Sequence, residues 1–172
     1  MPSRIGSKGH AAGRLGKENY AMNAMVEQML KAGRAEAIPE HDRGLWYIRR
    51  WETKVATPAK GKYAFCPPGI YTYLFRWTDS TIYQGRGEIV MEDTPIELSK
   101  HLQAALTARG QVLVTGLGLA CVVRMMQQNP RVKRITIVER DADVIEMVWP
   151  HTPHDKCELI HDEAMKFINT TD

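Results

Sequence analysis

Gln111-Val112-Leu113-Val114-Thr115-Gly116-Leu117-Gly118-Leu119-Ala120 decides how this chain folds. After Gln111, its residues Val112 to Thr115 are apolar or β-branched, the pattern of a short strand buried on both faces. Small residues then fall at alternate positions, Gly116, Gly118 and Ala120, and the composition and apolar spacing of Cys121 to Gln128 suit a helix. Asn129-Pro130 stops that helix, because proline has no N–H and disfavours helical geometry in the residue before it. A second buried strand is expected over Arg134-Ile135-Thr136-Ile137-Val138, finishing on Glu139. If the two strands are parallel neighbours, this acid stands at the carboxyl edge beside the glycine turn, where open α/β sheets bind their ligands.

Each residue type there has a chemical reason. Glycines admit φ > 0 and a close approach of backbone to ligand, the following helix offers unpaired N–H groups, and an acid on the next strand accepts both hydroxyls of a ribose. The expected ligand is a nucleoside-bearing cofactor. A dinucleotide fingerprint requires glycine or alanine at position 121, and Cys121 breaks it.

The spacing G-x-G-x-A resembles the loop of class I S-adenosylmethionine-dependent methyltransferases. The likeness continues in Val138-Glu139-Arg140-Asp141-Ala142-Asp143-Val144-Ile145, similar to the second-strand acid and its helix, and in Cys157-Glu158-Leu159-Ile160-His161-Asp162-Glu163-Ala164, similar to the third strand and its acidic turn. Val114 stands where many of these enzymes carry an acid, and Gly85 to His101 is similar to the hairpin and entry helix of the polyamine-synthase-like branch. The resemblance spans about residues 82 to 168. It implies that Gly116 and Gly118 pass under the methionine and ribose parts of S-adenosylmethionine, with Ala120 at the third small position. It further implies that Glu139 holds the ribose hydroxyls, that Arg140 or Asp141 borders the adenine, and that Asp162 or Glu163 accepts from the adenine amino group, Glu163 being favoured by its place before Ala164. The implied fold is a Rossmann-like α/β sheet, incomplete, with three parallel strands.

A complete domain of that family continues with four further strands, whereas this resemblance ends with the helix after the third. The first strand is therefore expected to have an open edge, covered by the Ile70–Trp77 and Thr81–Gln84 segments, by a second copy in a homo-oligomer, or by a separate chain. No residue is identified for placing a methyl acceptor or removing its proton. The expected activity is methyl transfer to an unknown acceptor if the cleft is completed. An inactive interaction module and a nucleic-acid-binding protein are the alternatives.

Composition bounds these readings. An apolar share of 44% and a charged share of 25% describe an ordinary globular chain. No run reaches the length of a membrane span and residues 1 to 17 lack a secretory apolar segment, so a cytoplasmic location without a membrane partner is expected. Cys66, Cys121 and Cys157 form no close pair, which argues for reduced thiols, and Cys121 and Cys157 read as small core residues. Up to Lys62 there are twelve Lys/Arg against six Asp/Glu, and beyond it eleven against fourteen.

Two units are expected, a basic tail and helical arm over residues 1–62 and a β-hairpin with the half-length domain over 63–172. In the first, Met1 to Gly16 reads as a tail, and Met22, Met25, Val26, Met29 and Leu30 give one apolar helical face ending near Gly33. Leu45 to Val55 interleaves aromatics with bases, a pattern that fits a strand or short helix and also single-stranded nucleic acid, and Thr57 to Lys62 reads as a linker. In the second, Ile70–Trp77 and Thr81–Gln84 read as strands and Glu88–Met91 as a further one. Thr94-Pro95-Ile96-Glu97 starts a helix running past His101 to about Ala108. His151 and His154 are too weakly constrained, with Pro153 between them, to form a metal site.

Overall fold

The structure, a computed structural model, describes residues 22–54, 57–58, 65–78 and 87–170. It is a mixed α/β arrangement of one antiparallel and one parallel sheet with helices between and beside them. The tail expected over Met1–Gly16, the helix start expected from Lys17 and the strand expected over Thr81–Gln84 lie outside the described residues.

Helix α1 covers 22–32, with Met29 fully buried and Met25 and Leu30 packed beside it. Gly33 closes it, donating its N–H to Met29 O at 2.8 Å, where any added Cβ would press on the Met125 and Leu98 side chains. Strands β1 (His41–Arg43) and β2 (Trp46–Thr53) follow, then the short pair β3 (Thr57–Pro58) and β4 (Phe65–Cys66), β5 (Gly69–Arg76) and β6 (Glu88–Glu92). The antiparallel sheet has the order β1-β2-β5-β6. Of the strand or short helix expected within Leu45 to Val55, the strand is formed, over Trp46–Thr53, and the alternation of a strand lets the adjacent Tyr47 and Ile48 both be buried, on opposite faces. The expected boundary at 62 falls between two paired strands of one sheet, since Trp46 to Thr53 run in register with Arg76 to Gly69.

The two faces of this sheet differ. Ile48 and Leu74 point into the main core, whereas Tyr47, Tyr73 and Phe75 pack on the other side, Tyr47 stacking on Phe75 with ring centroids 4.8 Å apart. Burial pushes the phenols of Tyr71 and Tyr73 up to about 12.

Helix α2 (Pro95–Thr107) is capped by Thr94, whose hydroxyl accepts the Glu97 N–H at 3.3 Å. The parallel sheet then alternates strand and helix: β7 (Gly110–Thr115), α3 (Cys121–Gln127), β8 (Val132–Glu139), α4 (Ala142–Val148), β9 (Cys157–His161) and α5 (Ala164–Thr170), in the order β7-β8-β9. Gly110 opens β7 at φ +65° instead of merely ending the helix before it. One face carries Val112, Val114, Ile135, Ile137, Cys157 and Leu159 against the main core.

The other face is barely covered. Leu113 is 43% exposed, and Met165 and Ile168 of α5 also face outward. The expectation that Gln111–Thr115 is buried on both faces is therefore corrected: β7 alternates, with Gln111, Leu113 and Thr115 exposed, and among the described residues no strand lies beyond it. The Ile70–Trp77 segment does not cover this edge either, being held between β2 and β6.

Asp93 ties the segment that follows α1 to β5. Fully buried at the entrance to α2, its carboxylate accepts the N–H groups of Thr72 at 2.7 Å and Ala35 at 2.8 Å and the Arg34 Nε at 3.0 Å. A buried carboxylate is tolerated only when paired and hydrogen-bonded in this way.

Candidate functional site

The carboxyl ends of β7, β8 and β9 come together around the glycine turn. Gly116 takes φ +87° and Gly118 φ +50°, conformations open to residues without a Cβ. Ala120 also sits in the left-handed region, at φ 59°, and is the N-cap of α3. It is the single non-glycine residue with positive φ among those described, a strained position that the turn imposes. Leu117, Leu119, Ala120 and Cys121 turn their side chains into the core and leave the backbone of the turn to face the edge.

Glu139, the last residue of β8, is 8% exposed. Its Oε2 accepts the Leu117 N–H at 2.7 Å and its Oε1 accepts the Asp141 N–H at 2.8 Å. The strand pairing brings it there: Gly116 donates to Val138 O at 2.8 Å, and Asp162 donates to Glu139 O at 3.1 Å. An ionised carboxylate offers about four acceptor positions, so about two remain after these bonds.

A cleft of about 240 Å³ opens beside this carboxylate, lined by Thr115, Gly116, Val138, Glu139, Arg140, Glu163 and Ala164. Four of the seven cofactor-binding residues expected from the sequence line it, namely Gly116, Glu139, Arg140 and Glu163. Arg140 Nη1 stands 3.4 Å from Glu163 Oε2 across its mouth.

Three expected residues lie elsewhere. Ala120 is buried at the head of α3, and Gly118 is covered by the Met91 side chain. Asp162 turns its carboxylate to the Glu163 N–H at 2.8 Å and to Lys166 Nζ at 3.2 Å, the first of which holds it below the usual carboxylate range. Asp141, offered by the resemblance as an alternative to Arg140, is similarly committed: its Oδ1 caps α4 through Asp143 N–H at 3.0 Å, and its Oδ2 accepts the Trp46 indole N–H at 2.7 Å.

Met91 is the site residue that the sequence reading does not single out. Its Sδ accepts the Leu119 N–H at 3.1 Å, and a Cβ built on Gly118 would collide with it. The signal is a β-bulge: Leu74 pairs with Met91 and Phe75 with Ile89, leaving Val90 as an extra residue in β6. Bulges of this kind re-aim the neighbouring side chain.

Elsewhere, the basic aromatic segment is engaged within the fold. Arg49 forms a two-pronged pair with Asp42, and Arg50 donates to the carbonyls of Glu36 at 2.5 Å and Ile38 at 2.7 Å. The His154 ring stacks on Trp149 at 4.1 Å and bonds to its carbonyl oxygen. Among the described residues no cluster of three or more His, Cys, Asp and Glu is arranged to hold a metal, and no helix is long and apolar enough to cross a membrane.

Neither a scan against models of protein families nor a search of curated proteins returns a match to this chain.

Proposed function

We propose that the chain binds S-adenosylmethionine or a related thionucleoside at the carboxyl edge of β7, β8 and β9, within a Rossmann-like sheet of methyltransferase type. The observation that carries this reading is the position of Glu139, whose carboxylate bonds to the glycine turn while keeping acceptor capacity at the wall of an open cleft. Two vicinal hydroxyls suit the two free acceptor positions. Glu163 lies within the same cleft and would accept from an exocyclic amine, and the planar guanidinium of Arg140 would flank a base.

When bound, S-adenosylmethionine would supply an electrophilic methyl group. This chain's own residues would grip and orient the nucleoside: Glu139 the ribose, Arg140 and Glu163 the base, and the backbone of Gly116 the close approach. Groups that hold a methyl acceptor in line are not identified, so transfer would require that part of the cleft to be completed.

Calorimetric titration with S-adenosylmethionine, S-adenosylhomocysteine, methylthioadenosine and NAD tests the reading when each titration is repeated on Glu139→Ala. Affinity for the thionucleosides that disappears in the variant, with a weaker response to NAD, supports it. Absence of any thionucleoside binding by the native chain refutes it.

A second reading draws on the exposed Leu113, Met165 and Ile168 and the edge of β7, unpaired among the described residues, which suit an interaction module derived from such an enzyme. Its mark is association in sedimentation experiments with no response to any of these ligands.

A further inference from the structure

Resting on the proposed nucleoside site, we infer that Met91 determines which thionucleosides it admits, by filling the space that the 5′-substituent would take. The cleft holds Gly116, Glu139, Arg140 and Glu163 but stops short of Gly118. At about 240 Å³ it is smaller than the roughly 300–1,000 Å³ usual for small-molecule sites. Further along the turn, the room left by the missing Cβ of Gly118 is taken by the Met91 thioether, which also occupies the Leu119 N–H.

The chemistry of a nucleoside makes this division consequential. A ribose carries its base and its 5′-carbon on opposite sides of the 2′,3′-diol. With the diol on Glu139 and the base beside Arg140 and Glu163, the 5′-substituent is directed along the turn toward Gly118. Adenosine fits without disturbing Met91. A molecule with a homocysteine tail on the 5′-sulfur has to displace it and then gains the Leu119 N–H as a donor for its own polar groups.

Met91 is suited to such movement. Methionine has three rotatable bonds and a thioether that adapts to irregular spaces. It stands on β6, the last strand of its sheet among the described residues, immediately after the extra residue Val90. The neighbouring Ile89 and Val90 are each about half exposed, so the bulge is only partly packed.

The test titrates native chain, Met91→Ala and Met91→Leu with adenosine and with S-adenosylhomocysteine. Met91→Ala is expected to tighten S-adenosylhomocysteine about tenfold, the equivalent of about 1.4 kcal/mol, and to leave adenosine within about threefold. Met91→Leu, which keeps the bulk, is expected to show no such gain. In parallel, the Met91 methyl resonance of the native chain is expected to shift with S-adenosylhomocysteine and not with adenosine, a readout that needs no variant to fold. An unchanged or lowered preference for S-adenosylhomocysteine in Met91→Ala, or a Met91 signal indifferent to it while adenosine binds, overturns this inference alone. Failure of both ligands with every form overturns the underlying site as well.

Discussion

The carboxylate of Glu139 and the backbone N–H of Leu117 meet at 2.7 Å, so an acid at the end of β8 fixes the turn that leaves β7. One group thus serves the fold and faces the proposed ligand. Glu139→Ala leaves the buried Leu117 N–H, and with it the Asp141 N–H, without an acceptor, at a cost of about 1–3 kcal/mol for each group that water does not reach. Chemical denaturation is expected to give a loss of about 3 kcal/mol. A loss below about 0.5 kcal/mol would show that the bond does not hold the turn.

Asp93 is expected to be the more costly carboxylate to remove. Asp93→Ala strands the N–H groups of Thr72 and Ala35 and removes the carboxylate from Arg34 Nε, and breaking a buried pair costs about 3–5 kcal/mol. The urea midpoint should fall far enough to unfold a large fraction of the chain at 37 °C. The solvated pair Arg49–Asp42 provides the contrast, with Arg49→Ala expected to cost under about 1 kcal/mol.

Ala120 provides a prediction of opposite sign. Its left-handed conformation costs an alanine about 1–2 kcal/mol, while glycine adds about 0.5–1 kcal/mol of unfolded-state entropy. Ala120→Gly should therefore be neutral or slightly stabilising in denaturation, whereas Gly118→Ala, with φ +50° and Met91 over it, should destabilise. A clear loss of stability in Ala120→Gly would mean that its methyl packing outweighs the backbone strain.

Alkaline pH is expected to weaken the fold. Burial pushes the Cys121 thiol up to about 12 from an ordinary value near 9, and Tyr71 and Tyr73 to about 12 from near 10. The folded chain holds these protons more tightly than the unfolded chain, so their contribution is complete below about pH 9 and is lost as pH rises toward 12. Melting temperatures recorded between pH 8 and 11 should decline, less steeply in Cys121→Ala. In the native chain at pH 8, Cys121 should resist thiol reagents that label it after unfolding.

How much of this was legible in the sequence follows from the range of the interactions involved. The strand–turn–helix of Gln111 to Gln127 and the Thr94 cap are local, set by β-branched runs, small residues at alternate positions and a hydroxyl three residues before Glu97, and the structure has them. The parallel pairing that delivers Glu139 to the turn follows from two apolar, β-branched runs separated by one helix. Other features depend on tertiary contacts. The exposure of Leu113 reflects the thin cover on one face of the sheet, Trp46 to Thr53 form a strand because they have β5 to pair with, and Asp141 is drawn from the cleft by Trp46, nearly a hundred positions earlier. Met91 was least legible, since a one-residue bulge at Val90 aims it and no local pattern announces a bulge.

The central claim is that Glu139 grips a ribose diol, and the most direct measurement compares methylthioadenosine with its 2′,3′-dideoxy analogue on the native chain and on Glu139→Gln, with melting curves showing both forms folded. The native chain is expected to bind the diol at least about tenfold more tightly, and the variant to lose most of that preference. Equal affinity of the native chain for the two ligands, or a preference that survives unchanged in Glu139→Gln, would contradict the account.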